Sequence, residues 1–464
     1  MLEAMQVTIA EMAAAREARA MAQMTLLGRH KGAVVVCLTM NIAGPVKMNR
    51  RIEQAFDWGL SEVRAVLAPQ KLHFSHAIRE KTGPEAIFCV EGDAMEIKRR
   101  LCALEDGQDV GRLLDIDVLY GLGEKVSRTE LGLSARKCLL CDQPAPVCAR
   151  SRAHSVEELR ARTEQIIRAH FEREFARRVG ETAQQALLFE VAVSPKPGLV
   201  DRLNAGAHAD MDLFTFMQSA CALGEYFEAC ARTGLAFREK MPQACFGALR
   251  VPGLLAEAKM LRATKGVNTH KGAVFSLGIY CAALGMGFDG ERSDPDAALL
   301  RCAEMTRSQM DEELAAIAAR EAATFGERHY QKTGAGGVRA EAAAGFPSVR
   351  EAGLPRLRRA LECGLSINDA GLCTLVALMA HTQDTNAVRR GGEAGAKRLM
   401  QRAEELDAQI ACALERGELD ADALRREMTC WDQEMTAQGI SPGGSADMLA
   451  LTLLSQLLTQ NHRE

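Results

Sequence analysis

Apolar positions divide this chain into a first part, where short β-branched runs alternate with helix-period runs, and a longer remainder where only the helix period recurs. Thr8 and Glu11 have capping-box spacing ahead of an alanine-rich run that stops near Gly28, which predicts a first helix over residues 8 to 27. Ala33 to Met40, AVVVCLTM, is β-branched and bounded by Gly32 and the NIAGP turn, as a buried strand would be. A helix over 51–67, a strand at AIFCVEG, a helix over 94–104 and a strand over 111–120 follow, an α+β or α/β order. Ser155 and Glu158 repeat the capping box and open a charged helix free of proline and glycine until Gly180. Beyond it, apolar periodicity recurs over 213–231, 253–263, 272–285, 295–325, 355–363, 369–380, 393–416, 420–437 and 445–459, with no strand pattern. The expected organisation is an α+β domain over 1–155, with a nucleotidyltransferase-like mixed sheet as one candidate, a helical connector over 156–180, and an all-α domain over 181–464.

The helical part is interrupted where chemistry-bearing side chains are densest. In SPKPGLVDRLNAGAHADMD, Ser194 to Asp212, Pro195 and Pro197 forbid a helix, while Lys196, Asp201, Arg202, Asn204, His208, Asp210 and Asp212 crowd the segment. Three further junctions resemble it. TKGVNTHKG carries Asn268, His270 and Lys271; HTQDTNAVRRGG carries Asp384, Asn386 and Arg389; SPGGSAD places Gly443, Gly444 and Ser445 ahead of an apolar helix whose free N–H groups suit an anion. Each alone also fits a solvated interhelical loop. Together they read as one composite pocket round a phosphorylated ligand. Glu190 and Glu257 lie in apolar helical runs beside these loops, where a buried carboxylate needs a cation or a histidine; a solvated helix face is the other reading.

In the first part, Asp115 and Asp117 are two apart in a predicted strand and so share a face, where they are a candidate magnesium site; a polar strand end in water is the alternative. Gly111 and Arg112 just upstream resemble the glycine-led turn of nucleotidyltransferase-like folds. RKCLLCDQPAPVCARSRAH places Cys138, Cys141, Cys148 and His154 close in sequence, a candidate zinc set, although a Cys-x-x-Cys pair also serves as two small apolar residues. Its arginines and Lys137 suit phosphates or an acidic protein.

With 57 basic and 61 acidic residues the formal charge is −4, which gives no polyelectrolyte signal for nucleic acid. No run of about 18 apolar residues offers a membrane span. The charged N-terminus lacks the apolar core of a signal peptide, so a cytoplasmic location is expected, and the 15 cysteines, mostly single along helical segments, then suit reduced thiols.

SPKPGLVDRLNAGAHADM, GVNTHKGAVFSLG, DTN with RGG, and SPGGSADMLA together resemble the triphosphoribosyl-dephospho-CoA synthase family from about residue 181 onward, with Ser194 where that family usually has threonine. CLTMNIAGPVK, GRLLDIDV and RKCLLC with CARSRAH resemble the apo-citrate lyase phosphoribosyl-dephospho-CoA transferase family over roughly 1–155, with Ala43 in place of the usual proline. The resemblance implies a bifunctional enzyme. Its helical domain would convert ATP and 3′-dephospho-CoA to the triphosphoribosyl derivative and adenine. Its first domain would pass the product to a serine of the citrate lyase acyl carrier protein, the γ chain, with release of pyrophosphate. Lys196, Lys271 and Arg389 would then hold the triphosphate; Asp201, His208, Asp210 and Glu257 would supply acid/base groups, with Asp210 on magnesium; Asn204, Asn268, His270, Asp384, Asn386, Gly443, Gly444 and Ser445 would contact substrate. In the first domain Lys47 and Arg112 would bind substrate, and Asp115 and Asp117 would act on magnesium. The rival readings are a nucleotidyltransferase fused to a helical module that only senses nucleotide, an assembly factor that docks lyase subunits, and the equivalent pathway of malonate decarboxylase. Adenine release from ATP separates the sensor and the docking factor from the enzyme.

Overall fold

The computed structural model describes residues 6–107, 110–323 and 325–460. The chain separates into two compact units, Met1–Phe171 and Glu172–Glu464.

The first unit contains α1 (Ile9–Arg29), β1 (Val34–Met40), α2 (Arg50–Leu67), β2 (Leu72–Glu80), β3 (Gly83–Val90), α3 (Ala94–Gly107), β4 (Leu114–Tyr120), β5 (Glu124–Lys125), α4 (Ala145–Ser151) and the start of α5 (Val156–Ala192). The Thr8–Glu11 capping box forms in full, with each side chain bonded to the other's backbone N–H. The five strands lie in the order β2-β3-β1-β4-β5 and every pair is antiparallel, so the mixed sheet expected from sequence is corrected. The cause is β2, whose largely exposed residues gave no apolar signal. Only Lys81 and Thr82 join it to β3, and so short a link forces an antiparallel hairpin.

Both faces of the sheet are covered. Val34, Val36 and Leu38 of β1, with Ile116 and Val118 of β4, pack with Phe56, Leu60 and Val63 of α2 and Leu101 of α3. Val35 and Cys37 pack on the other face with Leu26 and Leu27 of α1. Burial on both sides explains why β1 reads as an unbroken apolar run. A 3₁₀ turn, Val110–Leu113, replaces the first residues of the expected strand at 111–120.

The second unit is helical: the remainder of α5, then α6 (Leu213–Ala236), α7 (Pro242–Ala263), α8 (Lys271–Met286), α9 (Pro295–Ala318), α10 (Phe325–Thr333), α11 (Gly337–Ala343), a π-helical segment Ser348–Gly353, α12 (Leu354–Glu362), α13 (Ile367–His381), α14 (Thr385–Arg416), α15 (Ala421–Gln438) and α16 (Gly443–Gln460). Helices α8 and α13 are buried along nearly their whole length, which is why each is apolar on every side. Among the described residues this unit has no strand. Among the described residues no helix is long and apolar enough to cross a membrane. Helix α7 starts earlier than the expected 253 and passes through Pro252, and α14 continues across Gly392, whose φ of 68° kinks it where the RGG run suggested a break.

Candidate active site

In the second unit the N-termini of α8, α14 and α16 open on one cavity of about 280 Å³. His208, Phe216, Asn268, Lys271, Gly272, Asn386, Arg389, Arg390, Gly443, Gly444 and Asp447 are among its lining. A smaller inner recess of about 40 Å³ shares His208, Phe216, Thr269, Gly443 and Asp447 with it, and adds Glu190, Lys196 and His270. Helix N-termini carry the positive end of the helix dipole; with Lys271, Arg389 and Arg390 beside them they make an electropositive basin suited to a polyphosphate.

The central loop is built to hold this geometry. The Ser194–Pro195 peptide is cis. Asn368 of α13 clamps Ser194 through its N–H and its carbonyl, both at 2.9 Å. Asp432 of α15 accepts the Gly198 N–H at 2.9 Å and the Asn204 side-chain amide at 2.8 Å. Both carboxylate oxygens of Asp201 accept backbone N–H groups, from Lys196 at 2.8 Å and Leu203 at 2.7 Å, so this aspartate folds the loop.

Lys196 is 1% exposed and bonds the carbonyl oxygen of Glu190 at 2.8 Å and its carboxylate at shorter range. A buried ammonium needs such a partner. Burial pushes the Glu190 carboxyl up, while Lys196 opposes it. Asp447 is held well above the ordinary carboxylate range by burial and by the nearby Glu190 and Asp384. Gly272 permits this packing: a Cβ there would lie 1.9 Å from Asp447 Oδ2. Asp384 is 7% exposed and its carboxyl is raised as well; its oxygens cap α14 at Asn386 N (2.9 Å) and grip Ser445 N (2.8 Å), joining the starts of α14 and α16.

Arg390 donates to His208 Nδ1 at 3.1 Å, which assigns the ring proton to Nε2, 2.9 Å from Ser441 Oγ. Burial, then the Arg390 charge, pushes His208 down to about 4. His270 Nδ1 meets Ser219 Oγ at 2.7 Å, while its buried Nε2 has no hydrogen-bond partner among the described residues. Burial, then Lys196, pushes it down to about 3. Both imidazoles are neutral in the folded unit and titrate near 6.5 once unfolded, so the stability they contribute is complete above pH 6.5 and is lost as pH falls toward the folded values. His270→Gln should therefore flatten the fall in urea midpoint between pH 6.5 and 4 relative to the unaltered chain, whatever its midpoint at neutral pH. An unchanged slope would contradict a buried neutral His270.

In the first unit Asp115 is exposed and Asp117 half-buried on one face of β4, and Asp117 pairs with Lys125. The free edge of this strand is satisfied by side chains. Leu114 O accepts from Arg136 at 2.7 Å, Ile116 N donates to Glu105 at 3.0 Å, and Ile116 O accepts from the buried Lys98. The two aspartates are thereby fixed on either side of a clamped residue. Arg112 donates to the Lys137 and Cys138 carbonyls at 2.7 and 3.4 Å, and Lys47 to the Ile42 carbonyl. Cys138, Cys141, Cys148 and His154 bring one ligand atom each to within 4.8 Å of one another.

Comparison with known proteins matches the two units separately. A family described as apo-citrate lyase phosphoribosyl-dephospho-CoA transferase matches residues 7–170, and one described as ATP:dephospho-CoA triphosphoribosyl transferase matches residues 176–464. Protein CitXG of Haemophilus influenzae is 35% identical over 453 residues, covering 95% of this chain and 94% of its own length. The chain belongs to the CitXG family. Protein CitXG of Leuconostoc mesenteroides subsp. cremoris is 32% identical over 450 residues, 94% of each chain. The protein is thus a bifunctional transferase carrying the two domains of citrate lyase prosthetic-group synthesis and attachment.

Of the site residues named from sequence, His208, Asn268, Lys271, Asn386, Arg389, Gly443 and Gly444 line the main cavity, and Lys196 and His270 the inner recess. Glu257 reaches it through Lys271, 2.9 Å away, and Asp210 stands on the surface with an oxygen 4.0 Å from His208. Asp201, Asn204, Asp384 and Ser445 spend their polar atoms on the scaffold. Sequence reasoning missed Asp447 and Arg390. The first reads as an ordinary polar residue near the start of α16, although the SPGGSAD motif ends on it; the second stands beside the chosen Arg389.

Proposed function

We propose that the second unit joins the 2′-hydroxyl of 3′-dephospho-CoA to ribose C1 of ATP, breaking the C1–N9 bond to adenine and leaving the triphosphate on the sugar. The first unit then transfers this product through its 5″-phosphate to a serine of apo-citrate lyase acyl carrier protein, with pyrophosphate as leaving group. The observation that carries the reading is the convergence of three helix N-termini, Lys271, Arg389 and Arg390 on a cavity lined also by Asp447, whose carboxyl is raised. Cations and N–H groups suit the triphosphate, and Asp447, its carboxyl raised by burial and by Glu190 and Asp384, suits a general acid that protonates adenine as it leaves. The 2′-hydroxyl proton passes to a rim carboxylate, Asp210 or Glu257. His208 and Asp201 position the loop, and the free Nε2 of His270 offers the recess a polar contact.

Magnesium, when bound, would neutralise phosphate charge; hard oxygen ligands suit it, with Asp115 and Asp117 sharing one strand face in the first unit and Asp210 at the cavity rim in the second. In the first unit the antiparallel sheet carrying paired carboxylates also suits a nucleotidyltransferase-like fold. In all of this a cytoplasmic location is expected.

Lys271 is exposed at the cavity, held by Glu257. Removing one charge-assisted phosphate contact of about 1.5–3 kcal/mol should raise the ATP requirement for adenine release by about one to two powers of ten. Lys271→Ala is assayed against Lys240→Ala, whose ammonium lies over Phe237 away from the cavity. Equal ATP dependence in the two would remove the triphosphate from this basin.

A further inference from the structure

Between Arg136 and His154 the first unit has little regular structure beyond the short α4 and a single bridge pairing Lys137 with Pro144. Yet four side chains there converge. Cys141 Sγ lies 3.4 Å from Cys148 Sγ and 3.4 Å from His154 Nε2, and Cys138 Sγ completes a group whose ligand atoms all fall within 4.8 Å. A tetrahedral zinc site with Zn–S of about 2.3 Å and Zn–N of about 2.0 Å has edges of about 3.5–3.8 Å, so the ion fits with small adjustments.

Each ligand is presented by its own backbone device. The Cys138 N–H donates to Gln143 O and the Ala145 N–H to Arg136 O, both at 2.8 Å. This is a tight knuckle with two sulfurs on one side. Cys148 projects from α4, and Arg152, in left-handed conformation with φ 49°, ends that helix and turns the chain back so that His154 reaches the sulfurs. All cysteines of the described chain are free thiols.

We propose that Cys138, Cys141, Cys148 and His154 hold a structural zinc ion. Four protein ligands leave no open position, which separates this site from a catalytic zinc. Its place in the fold gives it a task. Arg112 bonds the knuckle carbonyls of Lys137 and Cys138, and Arg136, at the knuckle's base, bonds Leu114 O (2.7 Å) and Arg112 O (2.6 Å) at the start of β4. The ion pins an otherwise weakly packed segment against the strand that carries Asp115 and Asp117.

The test uses the full-length chain purified under reducing conditions. Elemental analysis is expected to give one zinc per chain, and exchange with Co²⁺ to give the intense visible bands of tetrahedral thiolate coordination. Cys141→Ser should lose the ion, whereas Cys412→Ser, an exposed cysteine of the second unit, should keep it. The cobalt spectrum needs no variant, so a misfolded Cys141→Ser does not leave the question open. A zinc-free chain without cobalt bands, zinc retained by Cys141→Ser, or an intact mass showing a Cys141–Cys148 disulfide would each overturn the site.

Discussion

Changing Asp115 and Asp117 together to asparagine is expected to abolish transfer to the acyl carrier protein while adenine release from ATP continues at its normal rate. The substitution removes charge and leaves shape nearly intact. Losing carboxylates that neutralise phosphate through a metal should lower the transfer rate by about 10² to 10³, the several kcal/mol such an ion supplies. Asp115→Asn alone should carry most of the loss, because Asp117 is already partly satisfied by Lys125. Their neighbour Ile116 keeps its clamp to Glu105 and Lys98 in the variant, so the sheet should survive. Parallel loss of both reactions would mean misfolding or one shared site.

The second large effect is expected at Asp447. Asp447→Asn should cut adenine release by about 10² or more, through turnover rather than ATP affinity, because a general acid contributes about 10² to 10⁴. The pH profile gives a signature that a structural role would not move. Burial raises the Asp447 carboxyl, so activity should fall as pH rises through its elevated value, and the Asp447→Asn variant should lack that limb. His208→Ala is expected to lose a comparable factor, since the loop would no longer be tied to both Arg390 and Ser441. Normal turnover in both variants would leave the cavity as a binding site only.

Legibility in the sequence followed how local the determining physics is. The capping boxes at Thr8 and Ser155 and the β-branched run of β1 are decided within a few residues, and they form as read. The edge strand β2 depends on its partner β3, and its exposed residues carry no period to detect. Gly180 was expected to close the charged helix, yet α5 runs on to Ala192; there a Cβ would sit 2.9 Å from the backbone nitrogen of Glu228, so close packing keeps the glycine. The four loop motifs were visible as dense polar insertions. Which of their residues face the cavity was not, because Asp201 and Asp384 are as polar as His208 but are consumed by backbone N–H groups that only the folded loop brings to them. Asp447 gains its character from burial beside Glu190 and Asp384, two residues distant in sequence. The cysteine cluster was readable as a candidate set, but its convergence rests on the reversal at Arg152.

The central claim, that one chain both builds and attaches the prosthetic group, is tested most directly by intact-mass analysis of apo-citrate lyase acyl carrier protein incubated with this protein, ATP, magnesium and 3′-dephospho-CoA. The account predicts a carrier heavier by one phosphoribosyl-dephospho-CoA group on a serine, with one adenine and one pyrophosphate released per carrier modified. An unmodified carrier with no adenine formed, from a chain shown to be folded and to bind ATP, would contradict it.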